Sequence, residues 1–321
     1  MQYRSLGKSG LQVSEIALGS WTTFGVSVDD EDTEACMVAA YDSGINFFDG
    51  AEAYGRGKAE LAMGRVFKKT AWPRDTYIVS SKVIHYGDAP TQRGLSRKHL
   101  VEACDAALQR MNLEYLDLFF CHRPDPRTPL EEIVHTMNEL IRRGKVFYWG
   151  TSEFSPGDLH ELYAIADRNH LIGPTMEQTC HSMLVRERVD RDLVPLFNRH
   201  GLGTTIYSPL AQGLLTGKYN AGIPEGSRAE QKDAEWAKRQ LSPERLEKIR
   251  ALGDLAGELD ITTSQLALAW CLKNPNVSSA IIGATRPQQV KENAMAADIT
   301  EKLTDQVMAR IEQLLDNHPA P

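Results

Sequence analysis

Asp49, Tyr54, Lys82 and His122 are the residues of this chain whose types and spacing could perform acid chemistry on a small molecule. Asp49 closes the short apolar run Asn46-Phe-Phe-Asp and stands five residues before Tyr54. Lys82 ends the run Tyr77-Ile-Val-Ser-Ser-Lys, and His122 follows Leu116-Asp-Leu-Phe-Phe-Cys. A phenol has an ordinary pKa of about 10, so it needs a neighbouring cation before it readily gives up a proton near neutral pH. Lys82 is the expected cation: a unit charge about 4 Å away, at an effective dielectric near 20, is worth roughly 4 kcal/mol, or about three pKa units at most. Asp49 is expected to keep the ammonium charged and fixed, and His122 to orient a carbonyl oxygen or pass a proton to Tyr54. Such a set does acid chemistry on a C=O group, for which the electrons are expected as hydride from a nicotinamide cofactor.

Four ionisable groups at or just past the ends of successive apolar runs require a scaffold that brings strand ends together. Strand-like runs at about 15–19, 46–49, 77–82, 116–121, 146–150, 175–178, 204–207 and 279–283 alternate mostly with segments of helical periodicity. Asp30 or Asp32 is the expected cap of a helix near 31–43, and Ser96 opens another that runs to about Met111. Pro129 supplies a proline first turn for a third, Pro156 and Pro287 for later ones, and Thr262 begins a helix stopped by Asn274-Pro275. Strand-then-helix repeats imply parallel pairing with right-handed crossovers, and a barrel collects its functional side chains at the C-terminal ends of the strands. The expected fold is therefore an α/β (β/α)8 TIM barrel, preceded by a β-hairpin around Gly7 and Gly10, with residues 1–321 as one domain. The first core strand ends in Gly19 without a G-x-G-x-x-G, which argues against a Rossmann unit. The long connection at about 208–242, with Gly213, Gly217, Gly222 and Gly226, is read as a loop over the ligand.

The formal charge of −7 and pI near 5.8 argue against a nucleic-acid surface or an anionic membrane. Residues 1–20 contain no charged leader joined to an apolar run, and no stretch approaches a membrane span. Five widely spaced cysteines without a C-x-x-C pair suit a reducing cytoplasm. The expectation is a cytoplasmic protein with a small-molecule carbonyl substrate, no nucleic-acid partner and no membrane insertion.

The chain resembles the aldo-keto reductases and, within them, the branch of the voltage-gated potassium channel β subunits. The resemblance rests on Asn46–Tyr54, Arg93-Gly-Leu-Ser-Arg-Lys-His99, His122-Arg-Pro-Asp-Pro126, Tyr148-Trp-Gly-Thr-Ser152, Tyr207-Ser-Pro-Leu-Ala211 and Gly283-Ala-Thr-Arg-Pro-Gln-Gln-Val-Lys-Glu-Asn293. It implies NADPH across the C-terminal mouth of the barrel, with Tyr54 as the acid and Asp49, Lys82 and His122 completing a tetrad. It further implies Ser152 and Gln178 on the nicotinamide carboxamide, Tyr207 stacked on the ring, and Gly19 and Trp21 as a backbone contact and a pocket wall. Ser208, Leu210, Gly213, Lys218 and Arg228 match the pyrophosphate side; Gly283, Thr285, Gln289, Glu292 and Asn293 match the adenosine end. Many members carry Lys and Arg where this chain has Gly283 and Gln289, with Arg286 nearby, so NADPH is the expected cofactor and NADH the alternative. Glu153 stands where relatives hold a neutral or basic residue.

Two functions follow from the resemblance: NADPH-dependent reduction of aldehydes or ketones, or a cofactor-sensing regulatory subunit of a membrane channel with little turnover. The related channel subunits carry an amide in place of His122, which favours the enzyme, and they form homo-oligomers, tetramers, an assembly open to this chain. Taken singly, the residues have plainer readings: Asp49 as a loop cap, Lys82 as its ion-pair partner, Tyr207 as a core aromatic. His181, His85 and Tyr86 are weaker pocket candidates, Cys121 is expected to be an inert buried thiol, and Lys68-Lys69 and Arg142-Arg143 to be solvated helix ends.

Overall fold

The computed structural model describes residues 1–225, 227–230 and 240–320. It opens with the antiparallel pair β1 (Tyr3–Ser5) and β2 (Gln12–Ser14), the expected hairpin. The turn presses on the barrel floor: Lys8 N donates to Gly201 O at 2.9 Å. A Cβ at Gly7, where φ is +57°, would lie 2.4 Å from Gly201 O. Only glycine satisfies both the left-handed backbone and that approach.

Eight parallel strands then close a barrel: β3 (Ile16–Gly19), β4 (Phe47–Asp49), β5 (Ile78–Val83), β6 (Leu116–Cys121), β7 (Val146–Ser152), β8 (Met176–Cys180), β9 (Gly203–Tyr207) and β10 (Ser279–Gly283), with β10 pairing back to β3. The (β/α)8 fold expected from the sequence is the fold of the chain. Alternation along each strand sorts the side chains. Ala17, Phe47, Ile78, Leu118, Phe120, Met176 and Ile281 pack together inside the barrel and against Leu6 and Val13 of the hairpin, so the N-terminal half of the interior is a plug of apolar side chains. Their outward neighbours Ile16, Leu18, Phe48, Val79, Phe119, Trp149, Ile206 and Ile282 join the larger core beneath the helices. Counting on by two along the inward set gives Asp49, Lys82, His122, Ser152, Gln178 and Tyr207. The parity that buries the floor thus aims the polar residues into the C-terminal mouth.

The strands β6 and β10 span the expected residues, whereas β7 and β8 run two residues further, to Ser152 and Cys180. The polar side chains of Thr151, Ser152 and Thr179 hide these extensions in the sequence; Ser152 pairs in register with Gln178.

The helices that follow the strands are α1 (Asp30–Asp42), α2 (Lys58–Thr70), α3 (Arg97–Met111), α4 (Leu130–Arg142), α5 (Pro156–Arg168), α6 (Val194–His200), α7 (Pro243–Glu258), α8 (Thr263–Lys273), α9 (Pro287–Ala294) and α10 (Asp305–Leu315). Ser96, Ser155 and Thr262 cap α3, α5 and α8 through side-chain oxygens, as Ser and Thr do at helix starts. The cap of α1 is Asp29, not Asp30 or Asp32: its extended backbone lets Oδ1 accept from Asp32 N at 2.9 Å, and the expected caps become first-turn acids. Pro129 is likewise the residue before α4, not its first. The connection after β9 contains short 3-10 turns at Ala211–Thr216 and Arg228–Glu230. Gly226 and residues 231–239 of that connection lie outside the described residues, as does the side chain of Arg228.

Candidate active site

Asp49 ends β4 and Lys82 is the fifth residue of β5, so register places both on the inner wall one strand apart. Lys82 Nζ donates to Asp49 Oδ2 at 2.6 Å, to the Gly50 carbonyl at 2.9 Å and to the Tyr54 hydroxyl at 3.2 Å. The Tyr54 ring meets the His122 ring edge to face, with centroids 5.6 Å apart, and the Trp21 ring at 6.5 Å. The four residues predicted from sequence therefore form one cluster. Asp49 is held further by Ser80 Oγ at 2.7 Å and Gln178 Nε2 at 3.1 Å.

Burial changes the expected acid strength. Removal from water pushes the Tyr54 phenol above its ordinary value; Lys82 and Arg123 pull it down, Asp49 pushes it up, and the balance stays upward. Lys82 pulls the phenol down as expected, but burial outweighs it, so the net shift is upward instead of the expected downward one. Burial draws Lys82 down, but Asp49 and Tyr54 beside it leave it above the usual lysine value. His122 falls well below the usual histidine range through burial, with Lys82 and Arg123 adding to the fall. At neutral pH Lys82 is an ammonium, Tyr54 a neutral phenol and His122 a neutral imidazole.

Arg123, which the sequence reading passed over, sits at the same mouth. Its Nη1 donates to Ser152 Oγ at 2.8 Å and to the His122 carbonyl, and its guanidinium lies 5.9 Å from the Tyr207 ring centroid. The only sequence signal was its place directly after His122. Glu153 has a left-handed backbone, φ +60°, costly for a non-glycine residue. Its carboxylate accepts from Thr179 Oγ1 at 3.0 Å and Cys180 N at 2.8 Å, and lies 3.6 Å from Arg188. Burial, with Glu153 nearby, pushes the Tyr207 phenol up. Behind them Glu177 is pushed up to about 7 by burial, although it pairs with Arg188 at 2.8 Å.

The residues proposed for a dinucleotide, Asp49 apart, lie on or after β3 and the strands β7 to β10. Gln178 Nε2 is used on Asp49 and Thr205, and Ser152 Oγ accepts from Arg123. The amide oxygen of the first and the hydroxyl proton of the second make no hydrogen bond among the described residues, which suits an amide ligand. After β9, Ser208 has φ +55°, and Leu210 at φ −95° precedes Ala211 at φ +47°, a succession that forms anion-binding concavities from backbone N–H groups. Gly213 has φ +98°, and a Cβ there would lie 3.0 Å from Lys218 Cε, so the lysine stem crosses its bare face. After β10, Gly283 opens to free space, and Gln289 Oε1 accepts from Thr285 N at 2.9 Å. The N-terminus of α9 has no side-chain cap; Pro287 carries no N–H and Gln289 N donates to Arg286 O at 3.1 Å, which leaves the Gln288 amide for an anion. Asn293 is buried in α9, and Glu292 accepts from Gln288 at 2.8 Å. Gly19 packs on Ile281, where a Cβ would come within 2.6 Å, and Trp21 lies 45% exposed at the rim. In (β/α)8 barrels the loops after the seventh and eighth strands, here β9 and β10, frequently bind phosphate. This donor set fits a dinucleotide.

The weaker candidates divide. His85 and Tyr86 lie in the loop after β5, where Arg110 covers the Tyr86 ring at 4.8 Å. Burial pushes the Cys121 thiol up, as expected of an inert cysteine. His181 is fully buried and stacked on Trp270 with centroids 5.3 Å apart. Burial lowers it to about 4, with Asp190 opposing and Arg186 assisting the fall. An unfolded histidine titrates near 6.5, so the unfolded chain binds the extra proton first and stability falls as pH drops from about 6.5 toward 4. We expect the parent to lose roughly 2–3 kcal/mol more than His181→Phe between pH 7 and about 4.5 in urea unfolding. Equal losses in the two proteins would refute a buried neutral imidazole.

Residues 15–316 match the model of the aldo/keto reductase family. The chain is 46% identical over 321 residues, 99% of this chain and 98% of the other, to a probable voltage-gated potassium channel subunit beta of Arabidopsis thaliana. It is 44% identical over 321 residues, with the same shares covered, to a protein of the same description from Oryza sativa subsp. japonica. No helix among the described residues is long and apolar enough to cross a membrane.

Proposed function

The chain belongs to the aldo/keto reductase family, and from that membership we propose that it is an NADPH-dependent oxidoreductase reducing aldehydes or ketones to alcohols, with Tyr54 as the general acid. The observation that carries this reading is the contact of one ammonium, Lys82, with both Asp49 at 2.6 Å and Tyr54 at 3.2 Å, against which the His122 ring packs. Ser152 and Gln178 would hold the nicotinamide carboxamide, Tyr207 the ring face, Gly19 and Trp21 its edge. Ser208, Leu210, Gly213, Lys218 and Arg228 would hold the pyrophosphate, and Gly283, Thr285, Gln289, Glu292 and Asn293 the adenosine end. A bound reduced nicotinamide supplies the hydride to the carbonyl carbon.

The protein residues manage the oxygen. Neutral His122 donates one N–H to the carbonyl oxygen and sets its direction toward Tyr54. Tyr54 gives its proton to that oxygen as negative charge develops there, and the C=O becomes CH–OH. The phenolate left behind faces Lys82, whose charge stabilises it until a proton returns. Asp49 holds that ammonium on line, and the free cysteines suit a cytoplasmic setting.

Fluorescence titration with NADPH and NADH, followed by NADPH-consumption assays on aliphatic, aromatic and sugar-derived aldehydes, tests the proposal. We expect saturable binding, tighter for NADPH, and turnover on at least one class; failure to bind either nucleotide sinks the reading. The description of the Arabidopsis and rice relatives favours a second reading, a cofactor-sensing subunit of a potassium channel. Capture of a channel cytoplasmic domain together with negligible turnover on the whole panel would put that reading first.

A further inference from the structure

The carboxylates around the mouth are matched: Asp49 with Lys82 at 2.6 Å, Glu177 with Arg188 at 2.8 Å, and Glu153 with Arg188 at 3.6 Å. Arg123 is not. It lies within ion-pair distance of no described carboxylate, and its side chain bonds only the His122 carbonyl and Ser152 Oγ, both through Nη1. Its Nε and Nη2 carry no hydrogen bond among the described residues, and the residue is only half-buried. A guanidinium keeps its charge at any working pH and presents its donors as a planar fork suited to a carboxylate. The Nη1 bonds fix this fork beside His122 and Tyr207, and its field reaches Tyr54.

We propose that Arg123 is a specificity residue that binds an anionic group on the substrate, a carboxylate carried a few atoms from the reacting carbonyl. The inference rests on the carbonyl-reduction reading above. A cofactor phosphate offers the same chemistry, but position favours the substrate. Arg123 follows β6, which lies four strands from β10 in the eight-strand ring and three from β9, whereas the features suited to phosphate lie after β9 and β10. Bidentate pairing with a carboxylate then supplies the counter-charge that the protein omits.

The test compares 4-carboxybenzaldehyde with benzaldehyde on the NADPH-loaded protein. We expect kcat/KM at least tenfold higher for the acid, a fall of at least tenfold in that ratio for Arg123→Gln, and partial retention in Arg123→Lys. The NADPH dissociation constant of Arg123→Gln should stay within threefold of the parent. No preference for the acid, or an equal loss on both aldehydes, overturns the proposal, and a tenfold weaker NADPH affinity reassigns the arginine to cofactor phosphate. Should neither aldehyde turn over, the wider aldehyde panel above decides the carbonyl-reduction reading separately. Calorimetry of 4-carboxybenzyl alcohol against benzyl alcohol then decides the arginine: tenfold tighter binding of the acid, lost in Arg123→Gln, supports it, and equal binding refutes it.

Discussion

Tyr54→Phe retains NADPH binding and loses turnover by a factor of about 10² or more, since it removes a positioned proton donor and little else. The ring remains to pack against His122 and Trp21, whose centroids lie 5.6 and 6.5 Å away. What disappears is one hydroxyl, the group that faces Lys82 at 3.2 Å. The upward push of burial on this phenol adds a second expectation. A donor whose pKa lies above its ordinary value stays protonated through the alkaline range, so the reduction rate should be level from pH 7 to about 9 and fall only beyond it. A phenol made acidic by Lys82 would instead cost activity already below pH 9. Steady-state rates of the variant that match the parent would reject Tyr54 as the acid, and a rate that declines between pH 7 and 9 would reject its protonation state.

The parts of this site that follow from strand parity were legible in the sequence. Asp49, Lys82, Ser152, Gln178 and Tyr207 lie at inward positions of strands whose apolar runs mark them, so a barrel brings them together without further information. Lateral contacts were not legible. That Gln178 bonds Asp49 across the barrel, and that Arg123 leans over to Ser152, depends on the ring order of strands and on rotamers, neither of which one linear chain displays. The acid strength of Tyr54 was misjudged for a related reason: a sequence reveals which charge is near, but not how much water has been excluded, and here burial outweighs Lys82. At α1 the expected caps, Asp30 and Asp32, lie in a run of acids that begins at Asp29, and the backbone turn itself makes Asp29 the capping residue. Helix α2 was read only by its end, Lys68-Lys69, and helices α6, α7 and α10 went unread.

Lys82→Met separates the structural from the chemical meaning of the ion pair. The variant leaves Asp49, 3% exposed, as a carboxylate without its cation, and removing one partner of a buried pair typically costs about 3–5 kcal/mol. Ser80 and Gln178 still donate to Asp49 Oδ1, which moderates the loss without supplying charge. Adding Asp49→Asn removes the stranded charge, and the amide oxygen accepts the same two hydrogen bonds from Ser80 and Gln178. The double variant should therefore recover most of the lost stability in urea unfolding, because an uncharged pair, its amide still hydrogen-bonded to Ser80 and Gln178, replaces a buried ion pair at little net cost. Turnover should not recover with it, since Tyr54 then has no cation to stabilise the phenolate that remains after proton transfer. If Lys82→Met is as stable as the parent, the buried pair is not the support described here. If the double variant regains activity along with stability, Lys82 acts on Tyr54 only by packing, and the electrostatic role assigned to it falls.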